Sequence, residues 1–170
     1  AGGIGFDVAE YLVQSRPSPT LDRNRWLAEW GIDPTLHARG GIEGVAPHPE
    51  PAQREVWLLQ RTEGALGKRL GKTTGWVHRA TLKKAQVRML GGVEYQRIDD
   101  AGLHIAIGGE TRVLAVDSVI LCTGQESRRD LVTPLTAASI GVHLIGGADV
   151  AAELDAKRAI SQGSELAARL

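Results

Sequence analysis

Apolar residues recur along this chain at helical spacing near its start and at strand spacing further on. Over residues 5–14 the apolar positions Phe6, Val8, Ala9, Leu12 and Val13 follow a 3.6-residue period, which predicts a helix. Ser15-Arg16-Pro17-Ser18-Pro19 ends it, because two prolines cannot occupy a helix interior. Residues 15–53 read as a long insertion. It carries one helical piece over 24–30, with Trp26, Leu27 and Trp30 on one side. The part from Gly40-Gly41 through Pro47, Pro49 and Pro51 reads as loop, and loops of this length are usually functional or mobile.

The pattern then changes. Glu55-Val56-Trp57-Leu58-Leu59-Gln60 is a short apolar run suited to a buried parallel strand. A glycine-rich, basic loop follows over 62–75. Residues 76–85 predict a helix whose last turn carries Lys83 and Lys84, which complement the negative end of the helix dipole. Strands are expected at 87–90, 93–98, 103–107 and 113–116, with Gly108-Gly109 as the hairpin turn between the last two. The apolar run Val119-Ile120-Leu121-Cys122 predicts another strand, closed by Thr123-Gly124-Gln125. A loop is expected next, then a further strand at 142–145, then Gly146-Gly147, then a helix over 153–168. The order is that of an α/β chain in which a small antiparallel meander replaces one crossover helix.

Composition narrows the partners. Lysine plus arginine number 20 and the acids number 20, so no net field points to nucleic acid or a membrane surface. A single cysteine, Cys122, excludes an internal disulfide and fits a reducing, cytoplasmic setting. No apolar run approaches the roughly 20 residues that span a bilayer. The five histidines are scattered without metal-ligand spacing and read as surface or satisfied residues. Cys122 reads as a small buried hydrophobe.

Two segments carry candidate chemistry. Ala1-Gly2-Gly3-Ile4-Gly5 reads as the end of a G-x-G-x-x-G dinucleotide fingerprint. In this reading Gly2 lets the backbone approach a pyrophosphate, Gly5 lets the helix pack closely, and the helix N-terminus holds the phosphates. The alternative is a glycine-rich loop at a frayed terminus. The second segment is the strand end Gln60-Arg61-Thr62. An acid there would bond the ribose 2′-hydroxyl of NAD, whereas Arg61 suits the 2′-phosphate of NADP. The alternative is a solvated strand-end arginine. Lys68, Arg69 and Lys72 add charge nearby. Gly71-Lys72-Thr73 invites a P-loop reading, but the glycine five residues earlier is missing because position 66 is Leu66.

Taken in order, four pieces resemble the pyridine-nucleotide domain of two-dinucleotide flavoproteins of the glutathione-reductase-like superfamily. They are Gly2-Gly3-Ile4-Gly5, the strand ending Leu59-Gln60-Arg61, the run from Val116 through Gly124, and Gly141 through Asp149. Gly71-Lys72-Thr73-Thr74-Gly75-Trp76, the segment from Leu144 to Ile160, and Trp30-Gly31-Ile32-Asp33 in the insertion narrow the resemblance. It becomes that to bacterial NADPH-dependent 2,4-dienoyl-CoA reductases. The resemblance implies a Rossmann-like three-layer nucleotide-binding domain over 1–125, lacking its first strand. A returning C-terminal segment of the FAD-binding domain would occupy 126–170. It also implies a flavoprotein that takes hydride from NADPH onto FAD. An FMN-bearing barrel and an iron–sulfur cluster are expected in a missing N-terminal part, and the partners are that barrel and the FAD-domain halves of the same polypeptide. On this reading Trp76 packs near the NADPH–FAD contact or, alternatively, anchors its helix in the core. Gly124 closes the nucleotide domain. Gly147 or Asp149 bonds the flavin ribityl, and Leu154, Asp155 and Ala156 face the flavin. Two alternatives stand beside it: an electron-transfer module resembling amine dehydrogenases, and a non-catalytic domain fragment.

Overall fold

The computed structural model describes residues 2–151 and 156–170. The chain divides into two compact units, residues 1–122 and residues 123–170. The first unit is a mixed α/β arrangement built on two small sheets.

Helix α1 (Gly3–Val13) buries Gly5, Phe6, Ala9 and Val13, a stripe spaced one, three and four residues apart. It stops at Gln14, whose backbone is extended. Strand β1 (Trp57–Leu59) and strand β2 (Arg88–Leu90) pair in parallel, in register Trp57↔Arg88, Leu58↔Met89 and Leu59↔Leu90. Parallel neighbours need a crossover, here helix α3 (Gly75–Lys84). Helices α1 and α3 pack on each other, and His78 Nδ1 lies 2.7 Å from Glu10 Oε1 between them. Phe6, Ala9, Val13, Leu58, Leu66, Leu82 and Val87 form the core of this layer.

The meander comprises β3 (Val93–Asp99), β4 (Gly102–Ile107) and β5 (Glu110–Leu114), antiparallel in that order. Gly108 and Gly109 turn the second hairpin with φ 58° and 85°. Both values are positive, as the turn that matches strand twist requires. Val93, Leu103, Ile105 and Leu114 form a second cluster, against which Trp57, Leu59 and Leu90 of the parallel pair rest. The two sheets thus share apolar contacts through the side chains of β1 and β2.

The insertion is ordered by polar devices. Helix α2 (Arg23–Trp30) starts at Asp22, whose carboxylate accepts from the N–H groups of Asn24 and Arg25. It ends at Gly31, which takes the left-handed conformation. Beyond it, Asp33 Oδ1 accepts from the Thr35 backbone and hydroxyl, and Asp33 Oδ2 accepts from the N–H groups of His37 and Ala38. The Thr35 hydroxyl, and then the backbone donors, hold the Asp33 carboxyl down at about 2. Lys84 at the end of α3 lies 3.6 Å over the Trp30 ring and 3.3 Å from Glu29, which pins α2 to α3.

The second unit holds helix α4 (Val132–Ala137), a 3₁₀ turn over Gly146–Ala148, and helix α5 (Ala156–Ala167). The Gln162 side chain joins the turn to α5. Its Oε1 accepts from Gly146 N at 2.8 Å and its Nε2 donates to Asp149 Oδ2 at 3.0 Å.

Three expectations change. Residues 119–122 and 142–145 form no strand, and 132–137 is helix where loop was expected. An apolar run becomes a strand only beside a ladder partner. Among the described residues none pairs with either run. Ile120 and Leu121 are 53% and 74% exposed, and Cys122 is half-buried, outside any strand. No helix among the described residues is long and apolar enough to cross a membrane.

Candidate functional site

Gly2 is the N-cap of α1, and its extended backbone (φ −95°, ψ −171°) brings no side chain to the helix start. An N-cap glycine leaves the orphan N–H groups of the first turn without a side-chain acceptor, which is what an incoming anion requires. A Cβ placed on Gly2 or Gly3 would meet nothing within 4 Å. Neither glycine is needed for packing inside the protein. Ile4 is exposed, while Gly5 is buried.

The loop that follows β1 comes to the same end of the helix. A Cβ on Gly67 would lie 2.8 Å from Phe6 Cζ, so the 61–74 loop is packed against the beginning of α1. Arg79 supports it from α3, donating to the Gly67 carbonyl at 3.0 Å. Arg61, Thr62 and Lys72 are exposed in this loop, along with Lys68 and Arg69. Arg61 is also close enough to Tyr95 to act on its phenol. Burial raises the Tyr95 pKa, and the Arg61 charge works against that. The loop that carries these cations therefore touches α1 at Phe6.

Gln60 is half-buried and faces its own loop. Its Nε2 donates to the carbonyls of Thr62 at 2.9 Å and Gly64 at 3.3 Å. The Gly71-Lys72-Thr73 segment forms a turn in which the N–H groups of Thr74 and Gly75 both point at the Gly71 carbonyl. Those two donors are spent on the backbone. Trp76, in the first turn of α3, is 60% exposed. It anchors no core in this unit, and its indole is available to a planar ligand.

The remaining candidates belong to the second unit. Gly147 and Asp149 are half-buried in and after the 3₁₀ turn. The Gln162 bond orients the Asp149 carboxylate, and Arg129 donates to the carbonyls of Ala148 and Asp149. Gly124 is exposed, with φ 121°. Ala156 opens the described part of α5, and Leu154 and Asp155 lie outside the described residues.

Three of the five histidines have side-chain partners. His37, His78 and His104 each meet a side-chain oxygen at 2.9, 2.7 and 2.8 Å. No group of three metal-ligating side chains occurs among the described residues. Sequence reasoning missed the His78–Glu10 pair and the closing of the 61–64 loop. The one signal for the latter is Gly91-Gly92 directly after a strand, a place where backbones can approach closely.

No family model matches this chain. It is 28% identical over 151 residues to a protein named a metal reductase from Desulforamulus reducens, covering 86% of this chain and 21% of that protein. A solved 2-naphthoyl-CoA reductase in complex with 2-naphthoyl-CoA superposes with a TM-score of 0.57 at 18% identity. That match covers 69% of this chain and 18% of the other. The chain thus spans about a fifth of the length of either protein. The structural likeness establishes a shared α/β fold.

Proposed function

We propose that this chain is the NADPH-binding portion of a flavin-dependent oxidoreductase. Its first unit is read as a Rossmann-like pyridine-nucleotide domain, and its second as a returning segment of an FAD domain. When bound, NADPH supplies a hydride and FAD takes it up. The observation that carries the reading is the meeting of the uncapped glycine start of α1 with the Arg61-bearing loop after β1.

Each residue has a physical task in this reading. The first-turn N–H groups beside Gly2 hold the pyrophosphate, and the open space at Gly2 and Gly3 admits its oxygens. Arg61 clamps the 2′-phosphate with two charged hydrogen bonds, with Lys72 adding to the field. The exposed indole of Trp76 shields the nicotinamide face from water. In the second unit, Asp149 or the backbone at Gly147 bonds the flavin ribityl, and the helix start at Ala156 faces its pyrimidine end.

Both compared proteins are named reductases, which supports the oxidoreductase class. Their names point to different acceptors, a metal and an aromatic acyl-CoA, so the donor side is the firmer part of the reading. For the whole protein we place the reaction in reduction of a 2,4-dienoyl-CoA, in fatty-acid β-oxidation. The FMN-bearing barrel, the iron–sulfur cluster and the rest of the FAD domain are proposed as parts of the same polypeptide. The test is anaerobic flavin bleaching in the intact protein. NADPH should bleach it rapidly and NADH slowly, and Arg61→Ala should slow NADPH selectively by about 10- to 100-fold. No bleaching by either nucleotide would sink the reading. An electron-transfer module resembling amine dehydrogenases would then take its place.

A further inference from the structure

We infer that Gln60 is a positioning residue for nucleotide selectivity: it closes the 61–64 loop into a ring that fixes where Arg61 stands. This rests on the reading of Arg61 as the 2′-phosphate clamp. Both main-chain groups of Gln60 are spent in the sheet. Its N–H donates to Leu90 O at 3.0 Å, and its carbonyl accepts from Val93 N at 3.0 Å. The residue therefore cannot shift without breaking the strand end.

From that fixed base the amide reaches forward over its own loop. Gln60 Nε2 bridges the carbonyls of Thr62 and Gly64. The Thr62 carbonyl accepts a second donor, Gly92 N at 3.0 Å. The loop is also held from the far side. A Cβ on Gly91 would lie 2.4 Å from Gly64 O and 3.1 Å from Thr62 O, so only glycine lets the end of β2 come this close. Arg61 is the first residue of this four-residue ring. Its backbone is tied at Gln60 behind it and through the Thr62 carbonyl ahead of it.

The physical consequence concerns binding. An arginine on a slack loop must be ordered when it grips a phosphate, and that ordering opposes affinity. Tying the loop to the sheet removes part of this cost before any ligand arrives. The benefit is confined to ligands that Arg61 touches. A nucleotide with a 2′-phosphate gains from it, and one with a bare 2′-hydroxyl does not.

The experiment is calorimetry on the intact protein with NADP⁺ and NAD⁺, for the unaltered protein, Arg61→Ala, Gln60→Met and Gly91→Ala. Methionine keeps the length of glutamine and removes the donor. Gln60→Met should weaken NADP⁺ by about five- to tenfold and leave NAD⁺ within about twofold. Gly91→Ala should act in the same direction, since it pushes on the same carbonyls. If Gly91→Ala does not fold, Gln60→Met alone decides. An unchanged NADP⁺ preference in Gln60→Met overturns the inference while leaving Arg61 intact as the clamp. An equal loss for both nucleotides also overturns it, because it shows a general structural role. If the unaltered protein has no NADP⁺ preference, the Arg61 reading fails, and the inference falls with it.

Discussion

Two glycine pairs in the first unit look alike in sequence and differ in what they do. Around Gly2-Gly3 a Cβ would meet nothing within 4 Å. At Gly91 it would meet a carbonyl oxygen at 2.4 Å. One pair leaves room outside the protein, and the other makes room inside it. The difference teaches that a glycine's role is decided by its neighbours. The crowded pair is kept small for the fold, whereas nothing inside the protein keeps Gly2-Gly3 small, and the proposed function assigns that space to a ligand.

The contrast can be broken most severely at Phe6, which supports both regions. It is fully buried, sits one turn inside α1, and touches the loop at Gly67. Phe6→Ala should cost about 3–5 kcal/mol of stability and loosen both the helix start and the loop. Thermal melting, with proteolysis at the 61–74 loop, checks this. Unchanged melting would mean that α1 is not seated by this ring. Gly91→Ala tests the crowded pair. It should destabilise by about 1–3 kcal/mol through forced displacement of the Gly64 carbonyl. A denaturant midpoint equal to that of the unaltered protein would contradict the close approach.

The open pair should give the opposite profile. Gly2 has an ordinary φ of −95°, so alanine is sterically tolerated there. Gly2→Ala should change stability by no more than about 1 kcal/mol, the usual range for an N-cap change. On the proposed function it should nevertheless weaken nucleotide binding, because the new methyl would stand in the space assigned to the pyrophosphate. Calorimetry and melting on the same variant separate the two effects. A variant that binds normally would remove the reason for thinking that space is kept for a ligand.

The smallest effect belongs to a third kind of turn, one held by a carboxylate. The Asp33 pKa is lowered from 3.8 to about 2 by the donors around it. The folded form therefore favours the ionised state. The stability this provides is present above the unfolded value and fades as pH falls from about 4 toward 2. Exchange of the Thr35, His37 and Ala38 amides should accelerate over that range, while the Gln60 and Gly92 amides stay protected. The Gln60 and Gly92 amides donate to backbone carbonyls and not to a carboxylate, so parallel loosening of both turns would refute the distinction.

Much of the architecture was legible because burial is periodic. The stripe Phe6, Ala9, Val13 announces α1, and the alternation around Gly108-Gly109 announces a hairpin. The runs at 119–122 and 142–145 misled, since apolar composition records a preference for burial and says nothing about a partner edge. Helix α4 was hidden by Pro134. Proline reads as a breaker, but here it lies in the first turn, where it gives up no intrahelical bond. Within the candidate site, the glycine start and Arg61 could be read from residue type and order. The Gln60 clamp could not, because a side chain bonding to backbone two and four residues ahead leaves no trace in periodicity.

The exposed run Val119-Ile120-Leu121 matters for how this polypeptide behaves in concentrated solution. These three residues have strong or moderate strand preference, carry no charge, and face water. A segment of that kind is a template on which another chain can lay its own backbone. Self-association should therefore grow with concentration and register as a rise in scattered light below the melting temperature; flat scattering across concentrations would contradict this. A lysine in place of Leu121 should suppress that scattering without altering nucleotide binding.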